Sequence, residues 1–192
     1  MIELRQFKET DIARLIGWIP DGRFLLQWAG PKYTFPLDAA QLRATLAQTE
    51  GDHPSHLMFK AVQRPGESVI GHIELMNLDY QQDTALLGRV LIGSPEGRGR
   101  GLGKQLVEAA LQHGFDTMGL KLITLGVFDF NMQAIACYRS LGFAEYELKP
   151  EVRRFGEESW TLLRMRLDRD TWIKNHELRT ARCSLRGAAP RN

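Results

Sequence analysis

Residues 97–104 read GRGRGLGK, with glycines at four alternate positions between a predicted strand and a predicted amphipathic helix. Glycine has no Cβ, so the backbone can approach a ligand closely along such a segment. The N-terminus of the following helix adds outward-pointing amides and a partial positive charge, and Arg98, Arg100 and Lys104 add full charges. The segment therefore predicts a backbone cradle for a phosphate or pyrophosphate group.

The spacing of these glycines excludes two common nucleotide-binding motifs. The dinucleotide fingerprint G-x-G-x-x-G fails because positions 102 and 104 are Leu and Lys. The Walker motif G-x-x-x-x-G-K-[ST] fails because its first glycine would be Arg98 and Lys104 is followed by Gln105. An RNA-binding Arg-Gly segment would be disordered, and a purely structural turn would carry the entropic cost of four glycines. Both stay open as weaker alternatives.

Regular elements flank this glycine loop on both sides. Residues 85–93 are apolar on both faces, which is typical of a central, buried strand. Residues 101–116 carry apolar side chains at helical spacing. An apolar strand at 122–128 and a helix at 132–141, ended by Gly142, follow. With the remaining segments the predicted order is β-α-α-β-β-β-α-β-α-β-β-α, a mixed α/β sheet in one domain.

A second motif, NMQAIACYRSLGF at residues 131–143, places three side chains on one side of a helix. Asn131, Ala134 and Tyr138 are three and four residues apart, so an amide, a small side chain and a phenol form a row that could line a narrow ligand channel. Asn131 could instead be only an N-cap, and Tyr138 only a core residue. Cys137 lies about 100° around the helix from Tyr138, so we expect it to pack away from that row as a small apolar residue.

The two motifs together resemble those of the GNAT superfamily of N-acetyltransferases. The segment R-x-x-G-x-G at 98–103 is similar to the R/Q-x-x-G-x-G/A loop that holds the pyrophosphate of acetyl-CoA in that family. Residues 131–143 are similar to its N-x-x-A-x-x-x-Y-x-x-x-G-F segment. The resemblance covers roughly residues 3–168 and is specific over about 69–143.

This resemblance implies a fold and an activity. The fold is a single α/β domain at residues 1–168, with a mixed, mostly antiparallel central sheet flanked by helices. A C-terminal helix and a basic, flexible tail are expected at 169–192. The activity is acetyl-CoA-dependent transfer of an acetyl group to a primary amine, by direct attack in a ternary complex and without a metal. The alternatives are a non-catalytic acyl-CoA-binding or sensor domain and a transferase that uses a different acyl-CoA donor.

The family pattern also assigns roles to individual residues. Tyr138 would protonate the leaving thiolate, and a backbone N–H around Leu91 and Ile92 would bind the oxyanion. The residues that the resemblance assigns to acetyl-CoA binding are Leu91, Ile92, Gly93, Arg98, Gly99, Arg100, Gly101, Leu102, Gly103, Lys104, Asn131 and Ala134.

The general base is the least defined part of the predicted site. Some members of the family carry a carboxylate on the strand before the asparagine helix, but residues 122–128 contain none. The predicted strand at 69–78 places His72 and Glu74 together on one face, because side chains alternate along a strand. We expect Glu74 to be the base and His72 the alternate. The competing interpretation is that both lie on a solvated face of the sheet.

Acceptor recognition in the family comes from the helices after the first strand and from the last hairpin. Here those regions combine aromatic and acidic side chains, which would suit a cationic amine. They could equally be hairpin surface or the contact of a homodimer. The residues concerned are Trp18, Asp21, Phe24, Trp28, Glu151, Phe155, Glu157 and Glu158.

The composition of the chain argues against several other classes of protein. The chain has 192 residues with 25 basic and 23 acidic side chains, a balance that argues against non-specific nucleic-acid binding. No apolar run approaches 18 residues, so we expect neither a membrane span nor a membrane partner. Two cysteines are too few for a disulfide framework and the N-terminus is too charged for a signal peptide, so we expect a cytoplasmic protein.

Overall fold

The computed structural model describes residues 1–93 and 99–177. Within them, seven strands form one sheet in the order β1-β2-β3-β4-β5-β7-β6. Neighbouring strands run antiparallel except β4 and β5, which run parallel. The expectation of a mixed, mostly antiparallel sheet is therefore confirmed. The strands are β1 (Ile2–Gln6), β2 (His56–Gln63), β3 (Ser68–Asp79), β4 (Thr84–Ile92), β5 (Leu122–Phe128), β6 (Ala144–Phe155) and β7 (Glu158–Asp168).

The helices are α1 (Ile12–Gly17), α2 (Gly22–Ala29), α3 (Ala39–Leu46), α4 (Leu102–Gln112), α5 (Met132–Leu141) and a last helix, α6, described over 169–177. The predicted order has two helices between the first two strands, whereas the structure has three, α1, α2 and α3. The helix that the sequence pattern did not predict is α2. Its start is fixed by Asp21, whose side chain accepts a hydrogen bond from the Phe24 amide at 2.7 Å. The predicted end of the last helix and the basic tail lie outside the described residues.

Two hydrophobic cores cover the two faces of the sheet. One joins the sheet to α4, α5 and α6, and includes Leu75, Leu106 and Trp172. The other joins it to α1, α2 and α3, and includes Leu25 and Leu42. Because residues on one strand alternate between faces, adjacent positions of β3 and β4 contribute to different layers. The sheet is thus a central layer between two groups of helices.

The parallel pair β4–β5 is open over half of its length. The two strands pair only from Thr84 to Leu87 and from Leu122 to Leu125. On the side that pairs with β3, β4 contains a bulge. Gly88 pairs with Glu74 and Leu91 pairs with His72, so β4 advances by three residues where β3 advances by two. Arg89 lies in this bulge with a positive φ of 49°. The bulged half of β4 and the end of β5 therefore bound a gap in the middle of the sheet.

Leu106 is fully buried where α4 packs on the sheet. Leu106→Ala should lower the free energy of unfolding by about 2–5 kcal/mol, because it removes buried methyl groups and leaves a cavity. Urea unfolding measures this loss. Leu148→Ala is the control, since Leu148 is 60% exposed, and it should change stability by less than about 0.5 kcal/mol. Equal effects of the two substitutions would contradict the packing of α4.

Candidate active site

A cavity of about 500 Å³ occupies the gap between β4 and β5. Its walls are β4 from Leu87 to Ile92, the end of β5 from Gly126 to Phe128, the N-terminal turns of α4 and one side of α5. Trp28 and its neighbours on α2 close a further side. The cavity therefore borders the part of β4 that does not pair with β5.

Glycines shape the end of the cavity at the N-terminus of α4. Gly101 is the residue before the helix and has a φ of 76°, and Gly99 has a φ of 75°. Side chains rarely adopt this left-handed conformation, so glycine is required there. Gly103 has an ordinary φ, but a Cβ at that position would meet no atom within 4 Å. With Lys104 these three glycines line the cavity.

The row of side chains predicted on α5 lies on the opposite wall. Asn131, Ala134 and Tyr138 all line the cavity. The Asn131 side chain also accepts a hydrogen bond from the Ala134 amide at 3.3 Å, so it is the N-cap as well as a wall residue. The expectation that Cys137 packs away from this row is wrong, because Cys137 lines the same cavity. Two residues that lie about 100° apart around a helix can therefore border the same cavity.

Tyr138 and Cys137 are both held in their protonated forms. Burial raises the pKa of the Tyr138 hydroxyl far above its ordinary value, and the neighbouring Cys137 adds to this shift. Burial likewise raises the pKa of the Cys137 thiol, against an opposing effect of Lys104. A tyrosine that keeps its proton at neutral pH can act as a general acid. A thiol that keeps its proton is a poor nucleophile.

Most of the residues predicted to bind the donor line this cavity. They are Leu91, Ile92, Gly99, Gly101, Gly103, Lys104, Asn131 and Ala134. Three others lie outside its wall. Leu102 packs into the core beside α4, and Arg100 is exposed. Gly93 lies against the Trp18 ring, which a Cβ would approach to 2.0 Å. Arg98 lies outside the described residues.

Glu74 lies beneath the β4 bulge at the centre of a fully buried polar network. His72 Nε2 donates a hydrogen bond to its Oε1 at 2.7 Å. Arg89 Nη1 donates to Oε2 at 2.5 Å, and His56 Nε2 donates to the same oxygen. Arg89 Nη1 also donates to the Tyr33 hydroxyl at 3.1 Å. The interpretation that His72 and Glu74 lie on a solvated face is therefore wrong.

These contacts make Glu74 a weak base. Burial alone would raise the pKa of the carboxyl, but the hydrogen bonds from His56 and His72 and the charge of Arg89 outweigh it and lower the pKa to about 2. Glu74 lines neither cavity, and its oxygens already accept from three side chains. His72 is as deeply buried, between the Phe7 and Trp28 rings. The geometry therefore favours a positioning role for both residues over proton abstraction.

A second cavity, of about 600 Å³, lies on the neighbouring side of the gap. It shares Trp28, Gly88, Arg89, Gly126 and Phe128 with the first cavity. Its outer wall comes from β6 and β7. The two cavities thus meet where β4 and β5 separate, and a ligand in each would approach the other at that point.

The acidic residues expected around the acceptor do not line this second cavity. Asp21 caps α2. Glu158 accepts hydrogen bonds from Arg23 at 2.8 Å and from the Trp160 indole at 2.9 Å. Of the eight residues named for acceptor recognition, Trp28 lines both cavities and Phe24 lines the first. None of these acidic residues lines either cavity, and their part in recognising the acceptor stays a prediction.

The sequence analysis missed His56, Tyr33 and the role of Arg89. A signal was available for Arg89, because a lone arginine on an apolar strand needs a buried partner. His56 and Tyr33 belong to distant elements that only the tertiary fold brings to Glu74. The sequence also did not lead us to expect that the end of β5 forms a wall of the cavity. A signal was present, because Gly126 interrupts an otherwise apolar strand, and such a glycine often marks a close approach by a ligand or another segment.

The domain is thus a mixed α/β sheet that opens at its parallel pair, with a glycine-rich helix N-terminus at one end of the opening. The chain belongs to the acetyltransferase (GNAT) family, whose model matches residues 23–143. This assignment confirms the resemblance noted in the sequence.

Individual relatives match parts of the chain. A mycothiol acetyltransferase from Salinispora arenicola is 32% identical over 95 residues, which are 50% of this chain and 26% of that protein. A spermidine N(1)-acetyltransferase from Vibrio cholerae is 30% identical over 84 residues, which are 44% of this chain and 47% of that protein. The matched segments thus span less than half of these relatives.

Solved structures match over a greater length. The spermidine N-acetyltransferase from Vibrio cholerae in complex with CoA and spermine has a TM-score of 0.77 at 22% identity, with 90% of this chain and 98% of that chain covered. A chimera of that enzyme has a TM-score of 0.76 at 20% identity, with 90% and 98% covered. At this identity the likeness establishes the fold.

The described residues contain neither a candidate membrane-spanning helix nor a candidate metal site. None of their helices is both long and apolar enough to span a membrane. Residues 1–93 and 99–177 contain no group of three or more His, Cys, Asp or Glu side chains arranged to hold a metal ion. That the protein uses no metal and that it is cytoplasmic both remain predictions.

Glu74→Gln should lower the free energy of unfolding at pH 7 by about 3–5 kcal/mol, because Arg89 loses its buried carboxylate partner. Folding lowers the pKa of Glu74 from 4.5 to about 2. The carboxylate therefore stabilises the fold fully above pH 4.5, and this contribution is lost as the pH falls toward 2. Urea unfolding of wild type and variant should show the difference shrinking over that interval.

The control for this experiment is Glu145→Gln. Glu145 pairs with Arg139 at the surface, and exposed pairs contribute about 0–1 kcal/mol. A stability difference for Glu74→Gln that is no larger than that of the control, or that does not change with pH, would contradict the role of the buried carboxylate.

Proposed function

We propose that the protein is an N-acetyltransferase that transfers the acetyl group of acetyl-CoA to a primary amine by direct attack in a ternary complex. The observation that carries this proposal is the junction of two cavities at the gap between β4 and β5. One cavity ends at a glycine-rich helix N-terminus that suits a pyrophosphate. The other opens from the same point and offers room for an acceptor. Membership of the GNAT family supports the same activity.

The donor would occupy the first cavity. The amides around Gly101 and Gly103 and the charge of Lys104 would hold the pyrophosphate. The backbone of β4 from Val90 to Ile92 would bind the pantetheine arm along one side, with Asn131 on the other. The fit is supported by the open space beside Gly103, where no atom lies within 4 Å of an added Cβ. Arg98 stays a predicted contact outside the described residues.

Acyl transfer then needs one bond formed, one broken and two proton movements. The neutral amine attacks the thioester carbon, and a carbon–nitrogen bond forms. The oxyanion accepts a hydrogen bond from a backbone N–H of the β4 bulge, near Leu91. The carbon–sulfur bond breaks and Tyr138 protonates the departing thiolate. The proton of the attacking ammonium passes to solvent, and Tyr138 regains its own from the same source.

Glu74 and His72 act in this scheme by holding the bulge. Arg89 is part of the bulge, and its guanidinium is fixed by Glu74 at 2.5 Å. The buried carboxylate therefore stabilises the local shape of β4 that keeps its N–H groups turned toward the gap. Water, rather than Glu74, is therefore the base in this scheme, because a carboxylate with a pKa of about 2 takes up protons poorly at neutral pH.

Two features of the protein as a whole stay predictions. A different acyl-CoA donor would use the same cradle. A homodimer is consistent with the exposed apolar residues Tyr146 and Leu148 on β6. A related spermidine N-acetyltransferase from Vibrio cholerae is described as dodecameric.

Calorimetric titration with acetyl-CoA, NAD and ATP tests donor binding. Selective micromolar affinity for acetyl-CoA is expected. Gly103→Glu should weaken that affinity about 100-fold, because a like charge beside the pyrophosphate costs several kcal/mol. Gly103→Ala should bind as wild type does, since the added Cβ meets open space and the family loop accepts alanine there. Preference for NAD or ATP, or equal binding by both variants, would overturn the assignment of the cradle.

Tyr138→Phe should lower kcat by about 100-fold and leave the affinity for acetyl-CoA nearly unchanged, because the phenol acts on the leaving thiolate only in the transition state. The assay follows release of free CoA thiol with amine acceptors. The fold of the variant should be intact, since the ring still packs on Phe143. Unchanged turnover would mean that Tyr138 serves packing alone. Tight acetyl-CoA binding by wild type without turnover on any amine would favour the non-catalytic acyl-CoA-binding alternative.

A further inference from the structure

We propose that the acceptor is a small amine that also carries a carboxylate, and that Arg153 binds that carboxylate. This inference rests on the proposed acetyltransferase function. It concerns the second cavity, which would take the acceptor. Four basic side chains lie on the wall of that cavity, and no acidic side chain does. They are Arg89, Lys149, Arg153 and Arg164.

The register of the last three strands brings two of these cations to one face. Arg164 on β7 lies opposite Gly126 on β5. Leu162, two residues earlier on β7, lies opposite Lys149 on β6. Residues directly opposite each other share a face, and so do residues two apart on one strand. The side chains of Lys149 and Arg164 therefore project from the same face as Gly126, at the point where β4 and β5 separate.

The charges of these groups are only partly neutralised. The guanidinium of Arg89 is committed to the buried carboxylate of Glu74. Lys149 and Arg164 share a single carboxylate, that of Glu147, at 3.4 Å and 3.1 Å. The wall formed by β6 and β7 therefore carries a net positive charge even when these ion pairs are counted.

Arg153 is the cation without such a partner. Its Nη1 donates to the backbone oxygen of Val152 at 2.5 Å. Among the described residues no carboxylate lies within ion-pair distance of it. Its remaining N–H groups form a planar fork that matches a carboxylate in two parallel hydrogen bonds. An anionic group on the acceptor would complete this arrangement.

The same charge disfavours a polycationic acceptor. Spermidine carries several ammonium groups, and each would face like charge along the wall formed by β6 and β7. The spermidine N-acetyltransferase from Vibrio cholerae has a similar fold, but proteins that share a fold can act on different classes of acceptor. A carboxylate-bearing amine instead places its negative end on Arg153, and its amine is left to point toward the thioester at the gap.

Matched pairs of acceptors test this inference. We would measure release of CoA thiol from acetyl-CoA with each of the twenty L-amino acids and with the corresponding carboxamides, in which an uncharged amide of similar size replaces the carboxylate. Spermidine serves as the polycation. O-phosphoethanolamine and ethanolamine form a further pair that separates a preference for carboxylate from a preference for phosphate. For the preferred amino acid, kcat/KM should exceed that of its carboxamide and of spermidine at least tenfold.

Two variants locate the effect. Arg153→Gln should raise KM for the preferred amino acid at least tenfold and leave KM for its carboxamide and the affinity for acetyl-CoA unchanged. Arg154→Gln is the matched control, because Arg154 is exposed, contacts Ser159 and lies outside the cavity wall. It should leave all three quantities at their wild-type values.

The outcomes separate the inference from the function on which it rests. Turnover that favours spermidine, the carboxamides or phosphoethanolamine would overturn the carboxylate acceptor while the acetyltransferase activity stands. Acetyl-CoA binding with no acetylation of any amino acid would overturn it as well. Failure to bind acetyl-CoA would overturn the proposed function itself. Equal effects of Arg153→Gln and Arg154→Gln would remove Arg153 from the acceptor site.

Discussion

The buried contact between Glu74 and Arg89 is the constraint on which the rest of the site depends. A charged pair without exposure to water is costly unless additional hydrogen bonds satisfy its atoms. Two histidines and a tyrosine hydroxyl supply such bonds here, whereas the buried Arg89 Nε has no partner among the described residues. Arg89 reaches Glu74 from a bulge in β4, where the strand leaves its regular pairing with β3. The bulge lies just beyond the last residue of β4 that pairs with β5. A polar network under one face of the sheet is thus joined to the gap that opens at its centre.

This gap determines how the two halves of the proposed reaction would meet. Parallel strands that separate expose backbone donors without unfolding, because each strand keeps its other neighbour. The side toward α4 ends in glycines and a helix N-terminus, which favour an anionic group. The side toward β6 and β7 ends in basic side chains. The pyrophosphate would therefore lie away from the reacting atoms, and the thioester and the amine would meet at the junction between the two cavities.

The parts of the structure that could be predicted from sequence are those that local spacing determines. The glycine loop and the row formed by Asn131, Ala134 and Tyr138 follow from positions within one helix or turn, and the family resemblance supplied their context. The alternation of strands and helices gave the fold class. What could not be predicted depends on register between distant segments. The partners of Glu74 come from β2 and β4, and the basic wall of the second cavity arises from the pairing of β6 with β7. The nearby acids of the same hairpin, such as Glu158, are bound elsewhere by equally non-local contacts.

A crystal structure of the protein grown with CoA would show directly whether the gap between β4 and β5 holds the donor. The predicted complex has the pantetheine arm in the gap between residues 88–92 of β4 and 126–128 of β5, with the pyrophosphate at the N-terminus of α4 and the thiol facing Tyr138. In that complex the Glu74–Arg89 contact is unchanged by the ligand. CoA bound outside the gap, or strands β4 and β5 paired throughout their length in the complex, would contradict this prediction.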